Sequence, residues 1–393
     1  MHVLRHLVGD RLVSAAVPIA PGSDVIRARG DLLHKLLGQG DIRVGTIRHH
    51  PEVQVALRGR EIISKHMAVL GMTGSGKSNA VMVLVREFLT SPGYDDLRVF
   101  IVDTHGEYAI RLAELSPDRP ARLIDLDLRR SILEEDVIKE LAGFTRRDHN
   151  LASFVARVAD AADALDPSQD LDELLAGLEA AAAGDPQETT LRSFVETARE
   201  TPDLCLRADD RARVVEDGGS SVDIGAPGLY VLDLRQTYSM TERAHKAGAL
   251  MTRVFNQKRA DPTIGPALVV LEEAQNYVPE RTTGWMAETR TLSGDPAIII
   301  ATEGRKFDIG LIVSTQRPAR VNKDILSQCN TQLVFRVVNV EDLNQVRDSF
   351  EAASRSYIDE LQAFETGVGV AGGTALDMVV PLKAPLFPPT EES

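Results

Sequence analysis

Eight consecutive residues, GMTGSGKS at positions 71–78, restrict this chain more than any other stretch. They fit the pattern of a glycine, any four residues, then Gly-Lys-Ser/Thr in full. A chance match in a chain this long is roughly a one-in-a-hundred event at average residue frequencies. The flanks matter as much. The apolar run Met67–Leu70 enters the loop as a strand and Ala80–Leu89 leaves it as a buried helix. Strand, glycine-rich turn and helix in that order make a phosphate-binding loop. Gly71, Gly74 and Gly76 let the backbone turn its N–H groups toward phosphates, where the helix N-terminus adds a favourable dipole. Lys77 reaches the terminal phosphates as a point charge, and the Ser78 hydroxyl is a ligand for Mg²⁺. The expected nucleotide-contacting set is therefore Gly71, Thr73, Gly74, Ser75, Gly76, Lys77, Ser78 and Asn79, with ATP and Mg²⁺ as cofactors. The alternative is a glycine-rich surface turn without a ligand, which the flanking strand and helix disfavour.

A phosphate loop binds nucleotide; hydrolysis also needs an acid for the metal and a base for water. The run ALVVLEEAQN at 267–276 supplies both. Its apolar strand delivers Glu272 to the C-terminal end, where sheets of this kind bind ligands, and Glu273 follows at once. Glu272 is assigned to the Mg²⁺ shell and Glu273 to polarising the attacking water, since in-line phosphoryl transfer asks for one carboxylate of each kind. The competing reading is an exposed pair capping a helix N-terminus. A further strand, Leu311–Val313, ends in Ser-Thr-Gln-Arg-Pro. It places Gln316 at the same sheet edge, where a neutral amide can hold the water or sense the γ-phosphate.

The remaining pattern is strand alternating with helix. Apolar strands are expected at Val99–Val102, Leu229–Leu232, Leu268–Leu271, Leu311–Val313 and Leu333–Val338, with a helix over Thr241–Lys258. The fold class is α/β, a P-loop NTPase with a mostly parallel sheet. Residues 1–60 form a small β-rich N-terminal module, with strands at Leu12–Val17, Ile42–Ile47 and Val53–Leu57 and a helix near Leu32–Leu37. Residues 61–123 and 228–383 are the two parts of the ATPase core. Between them, 124–227 read as a helical insertion. Leu151, Phe154, Val155, Val158, Ala162 and Leu165 recur at helical spacing, as do Leu171, Leu174, Leu175 and Leu178, with turns at Asp166-Pro167 and Gly184-Asp185-Pro186. Gly367–Leu382 reads as a final hairpin, and 384–393 as a C-terminal tail.

A formal net charge of −14 argues against binding nucleic acid over the whole surface, so a polyanion must meet a local basic patch. A toroidal motor satisfies this with a positive channel inside an acidic wall. Residues 301–325 carry Arg305, Lys306, Arg317, Arg320 and Lys323 against Glu303, Asp308 and Asp324. That stretch can line a channel, or it can serve the active site and subunit contacts. Cys205 and Cys329 lie far apart, which suits a reducing compartment, and no apolar run approaches the roughly 20 residues of a membrane span. The expectation is a cytoplasmic protein with no membrane partner. Nine histidines without ligand spacing give no zinc site. Trp285 is either a pore-loop residue or a core side chain.

Four segments resemble the HerA-like branch of the FtsK and HerA superfamily of ring-shaped DNA-pumping ATPases: HMAVLGMTGSGKSN at 66–79, VDTHGEYA at 102–109, VVLEEAQNYVPE at 269–280, and EGRKFDIGLIVSTQRPARVNKDILSQCNTQLVFRV at 303–337. The resemblance implies a RecA-like core behind a reduced form of the family's N-terminal barrel. It matches Asp103, His105, Gly106 and Glu107 to an element beside the nucleotide, and Asp103 and Glu107 join the expected nucleotide-binding residues. From the residues alone, Asp103 either reaches the site from its strand end or caps a helix. Arg305 matches the position that supplies an arginine to the neighbouring subunit's nucleotide; otherwise it is a solvated surface residue. Arg336, on the next strand, is a second candidate for a trans-acting or sensing role. Where the family often has Arg-His before the P-loop strand, this chain has Lys65-His66.

The resemblance further implies a homo-hexameric ring that translocates double-stranded DNA without sequence preference. Its expected partner is a nuclease of the NurA type in end processing or a defence effector against phage. No DNA-reading motif is present to say so independently. Two other classes stay open: an ATP-gated scaffold ring that activates a partner enzyme with little translocation, and a protein or peptide remodeller. Stimulation of turnover by DNA separates the first from the rest.

Overall fold

The computed structural model describes residues 5–8, 11–14, 29–37, 39–112, 121–128, 130–133, 135–144, 150–165, 170–201, 204–206, 212–216, 222–280, 289–350, 352–353 and 355–387. Trp285 and the Asp166-Pro167 turn lie outside them. In chain order, strands β1 (Arg5–Val8) and β2 (Arg11–Ser14) pair antiparallel. Then come α1 (Gly30–Leu37), β3 (Ile42–Ile47), β4 (His50–Leu57), α2 (Gly59–Lys65), β5 (Met67–Leu70), α3 (Lys77–Thr90), β6 (Arg98–Asp103) and α4 (Glu107–Leu112). The middle of the chain forms β7 (Ala121–Leu128), β8 (Arg130–Ser131), α5 (Glu135–Leu141), α6 (Leu151–Asp163), α7 (Leu171–Ala182), α8 (Glu188–Glu200), β9 (Leu204–Cys205) and β10 (Ala212–Glu216). It continues with β11 (Gly228–Asp233), α9 (Met240–Ala260), β12 (Ala267–Leu271), α10 (Asp295–Glu303), β13 (Ile309–Thr315), β14 (Thr331–Val334), β15 (Val368–Gly373) and β16 (Val380–Lys383).

Two units divide the chain, residues 1–124 with 223–393 and residues 125–222. In the first, the strand order is β7-β11-β6-β12-β13-β5-β14-β15-β16-β3-β4. The pairs from β7 to β14 are parallel and those from β14 to β4 antiparallel. β5, β6, β12 and β13 are buried at every position. Their uninterrupted apolar runs are what a parallel sheet covered on both faces requires. The consequence for function lies in the order β12-β13-β5, because three strands adjacent in space end side by side. The residues just beyond them, 272–273, 316 and 71–78, share one edge of the sheet.

Several elements differ from the sequence reading. The β3–β4 hairpin is not part of a separate N-terminal module: β3 pairs with β16, so the hairpin extends the core sheet. Ile42, Val44, Val53, Val55 and Leu57 belong to the same hydrophobic core as the P-loop helix. β7 overlaps the start of the segment 124–227 read as a helical insertion, which also holds the short strands β8, β9 and β10. Its sequence ARLIDLDL alternates, and Ala121–Ile124 pairs in parallel register with β11. β14 stops at Val334 instead of running to Val338. Its parallel neighbour β5 is four residues long, and beyond Leu70 the glycine loop curls, so the ladder ends with the bonds from Phe335 N–H to the Leu70 carbonyl and from Met72 N–H to the Arg336 carbonyl. Arg336 therefore lies past the strand.

The second unit has a core of its own, in which Phe154, Leu175, Leu191 and Phe194 are fully or almost fully buried. The Phe154 and Phe194 rings meet edge to face with centroids 5.5 Å apart. Helix α7 opens with a reciprocal capping box between Asp170 and Glu173.

Candidate active site

The loop after β5 curls because Gly74 and Gly76 adopt φ of +74° and +103°, conformations that side chains rarely take. It is pinned at its entrance. Gly71 N–H donates to the Thr315 carbonyl at 3.2 Å and Met72 N–H to the Arg336 carbonyl at 2.8 Å, so β13 and the segment after β14 both hold it. Helix α3 starts at Lys77 and directs the loop's N–H groups and the positive end of its dipole at the same point.

Lys77 is only 5% exposed, and its Nζ donates to Ser314 Oγ at 3.3 Å. The same nitrogen lies 3.9 Å from Glu272 Oε1 and 3.6 Å from Glu273 Oε1. Ser78 Oγ donates to Glu272 Oε1 at 3.0 Å. Thr73 donates through its hydroxyl to Gln316 Oε1. The strand order thus brings Lys77, Ser78, Glu272, Glu273 and Gln316 together from three separate stretches of sequence. Buried charges on this scale destabilise a fold unless they are paired, which makes such a cluster a mark of function.

Glu272 and Glu273 sit in different surroundings. Burial pushes the Glu272 carboxyl up to about 7, against the lowering effect of Lys77 and the Ser78 hydroxyl, with Asp103 and Glu107 adding to the rise. Its Oε2 is buried without a hydrogen-bond partner among the described residues. An orphaned carboxylate oxygen beside a serine hydroxyl is a donor set that suits a hard divalent cation such as Mg²⁺. Glu273 instead takes a left-handed backbone conformation, φ +49°, which is uncommon for a side-chain-bearing residue and clusters at functional sites. Gln275 Nε2 donates to Glu273 Oε2 at 2.8 Å, and Gln275 Oε1 accepts from Thr315 Oγ1 at 2.6 Å. Ser314, Thr315 and Gln275 were not singled out from sequence. Their signal was faint: two small polar residues ending an apolar strand, and an amide two positions after the second glutamate.

The other predicted residues fall elsewhere. Asp103 is fully buried, but its Oδ1 accepts from the N–H groups of His105, Gly106 and Glu107 at 3.2, 2.7 and 3.3 Å, and its Oδ2 from Tyr108 N–H at 2.9 Å. It caps α4, the second of the two sequence readings. Glu107 is the exposed first residue of α4 and acts on Glu272 through its charge. Asn79 spends both ends of its amide on the chain's C-terminal segment: Nδ2 donates to the Pro385 carbonyl at 2.7 Å and Oδ1 accepts from Phe387 N–H at 2.6 Å. Gly71 and Ser75 form the loop wall, with Ser75 Oγ buried and without a partner among the described residues. Arg336 gives its carbonyl to Met72, while its Nε is buried and unpartnered among the described residues. Arg305 is exposed in the 3-10 turn Gly304–Phe307 just before β13, at the opposite end of that strand from Gln316.

Comparisons with known proteins show what the chain is similar to. Residues 42–214 match the family described as Helicase HerA, central domain. The chain is 27% identical over 428 residues to the DNA double-strand break repair helicase HerA of Pyrococcus furiosus, covering 96% of this chain and 75% of that protein. It is 26% identical over 406 residues to the HerA of Sulfurisphaera tokodaii, covering 96% and 76%. Among solved structures, VirB4 of Thermoanaerobacter pseudethanolicus superposes with a TM-score of 0.54 at 17% identity, over 89% of this chain and 98% of that one. The conjugative coupling protein TrwB superposes with a TM-score of 0.50 at 14% identity, over 94% and 97%, and shares the fold. With a phosphate loop facing paired carboxylates across one strand, the chain is an ATP-hydrolysing P-loop enzyme that is similar to HerA helicases along almost its whole length.

Proposed function

We propose that this ATPase is a Mg²⁺-ATP-driven, ring-forming double-stranded DNA translocase, hexameric and cytoplasmic, that works with a nuclease or defence effector. The observation that carries the reading is the convergence of Lys77, Ser78, Glu272 and Glu273 within 4 Å contacts at one sheet edge. In this scheme Ser78 and Glu272 hold Mg²⁺, which supplies charge neutralisation to the phosphates when bound. Lys77 leaves its carboxylates for the terminal phosphates. Glu273, oriented by Gln275, accepts the proton of the attacking water, and Gln316 positions that water or reads the γ-phosphate.

Arg305 acts in trans. The seven residues of β13 separate it from Gln316 by roughly 20 Å at strand rise, so it cannot reach the nucleotide of its own subunit. Its exposure leaves it available to a neighbour, where an arginine stabilises developing charge. The DNA reading draws on the HerA relatives, which are named as break-repair helicases. The excess of Arg and Lys over acids in 301–325 also suits a polyanion.

The test is ATP hydrolysis by the purified protein with and without linear duplex DNA, beside Lys77→Ala. Wild type should turn over ATP faster with DNA, and the variant should be inactive. Equal turnover in wild type and variant would end the site assignment. One observation favours a second reading, an ATP-gated scaffold: the net charge of −14 opposes DNA binding. Turnover indifferent to DNA, together with partner activation that survives Glu273→Gln, would select it.

A further inference from the structure

The catalytic end of the phosphate loop is marked by contacts. Gln316 bonds to Thr73, and Glu273 approaches Lys77. A triphosphate is a linear group, so with its γ-end there, its α-phosphate and nucleoside leave toward the other side of the loop. That side is occupied by two segments from the end of the chain. Thr366 Oγ1 donates to the Gly74 carbonyl at 3.0 Å, and Gly367 N–H to the Ser75 carbonyl at 2.9 Å. Gly367 stands so close to Gly76 that a Cβ on Gly76 would press on its backbone at about the limit of contact. The Ala384 N–H donates to the Gly367 carbonyl at 2.9 Å, which carries the chain from that turn onto the first turn of α3.

There Asn79, the residue after the Mg²⁺-binding serine, clamps Pro385 and Phe387 with both polar atoms of its amide. Phe387 is buried, and the Arg86 guanidinium lies 5.9 Å from its ring centroid. The residue between the two clamped positions cannot fold inward. Leu386 is accordingly held out at 86% exposure, on a backbone fixed from both sides. An apolar side chain held rigidly in water at the nucleoside end of a phosphate loop loses little conformational freedom when a flat heterocycle covers it.

We propose that the strap Pro385–Phe387 is the nucleoside-facing wall of the ATP site, with Leu386 the apolar contact for the base and Asn79 the positioning residue that holds the strap. The proposal rests on the nucleotide reading of the loop and adds what the non-phosphate half of the ligand touches. A side chain with no donor or acceptor gives affinity without reading the base edge.

Binding to the full chain in the presence of Mg²⁺ separates the two halves of the ligand when ATP is compared with inorganic tripolyphosphate. Leu386→Ala should weaken ATP roughly five- to tenfold while tripolyphosphate binds within twofold of wild type. Asn79→Ala should show the same selective loss, and Asn79→Gln should not restore it, because the longer amide cannot span the same two backbone groups. Unchanged ATP affinity in Leu386→Ala overturns the proposal. So does an equal loss for both ligands, which would mean a damaged loop. If wild type binds neither ligand, the nucleotide site itself is refuted and the strap's role with it; if wild type binds tripolyphosphate as tightly as ATP, only the strap's role is refuted.

Discussion

Gln275 touches no substrate group in the hydrolysis scheme, yet it decides where Glu273 points. It bridges Thr315 at the end of one strand and the glutamate at the end of the next. A carboxylate freed from such a bridge samples orientations that do not face the water, and misplacement of that kind lowers turnover more than binding. Gln275→Ala should therefore reduce kcat roughly tenfold or more with KM for ATP within about twofold, as steady-state hydrolysis would show. Asp103 makes the opposite case. Its four backbone N–H contacts satisfy the start of α4. Asp103→Ala should lower stability by about 1–2 kcal/mol in denaturant unfolding and leave Mg²⁺-nucleotide affinity nearly unchanged. A large loss of affinity at intact stability would return Asp103 to the nucleotide site.

At the scale of elements, the junction of α2 and β5 depends on one imidazole. His66 takes a positive φ of +59° with an extended ψ of 164°, uncommon for a residue with a side chain, where α2 ends. Its Nδ1 accepts the Leu311 N–H of β13 at 3.0 Å, so Nε2 carries the proton and donates to the Ala301 carbonyl of α10 at 3.0 Å. Burial lowers its pKa, because a charged ring would lose its hydration, with the Ala301 contact opposing. A depressed histidine contributes stability that is complete above the ordinary value of 6.5 and lost as pH falls below it. Thermal midpoints should drop by a few degrees more in wild type than in His66→Asn between pH 7.5 and 5.5. Parallel pH curves for the two would show that the ring's protonation is irrelevant. Much of this scale was legible beforehand. The strands at 98–103, 228–233, 267–271 and 309–315 and the helix at 240–260 arise from continuous apolar runs and helical spacing. The alternation in β7 was equally visible, and the helical character of residues 135–200 obscured it.

For the whole molecule, the proposed trans role of Arg305, which stands at the far end of β13 from Gln316, implies a catalytic centre completed by a second subunit. Arg305→Ala should retain nucleotide binding and lose hydrolysis roughly a hundredfold or more. Lys77→Ala should be inactive for the opposite reason, keeping the arginine and losing the loop's lysine. Co-assembled in equal amounts, the two inactive variants should recover roughly a quarter of wild-type turnover, since one interface in four then joins an intact loop to an intact arginine. Absence of any recovery in mixed assemblies would place Arg305 outside the trans role.

The sequence by itself determined what depends on neighbours in the chain: the glycine loop with its lysine and serine, the two glutamates at the end of an apolar strand, and the α/β alternation. Those properties rest on backbone conformation and periodicity, which a short window contains. Tertiary structure decided the partners. Which strands lie side by side set the meeting of Lys77 with Glu272, and it turned the β3–β4 hairpin into part of the core sheet. It gave Asn79 to Pro385, 306 positions away, and His66 to Leu311, 245 positions away. A hydrogen bond at that separation is chosen by sheet order and packing, and no local pattern of residues encodes it.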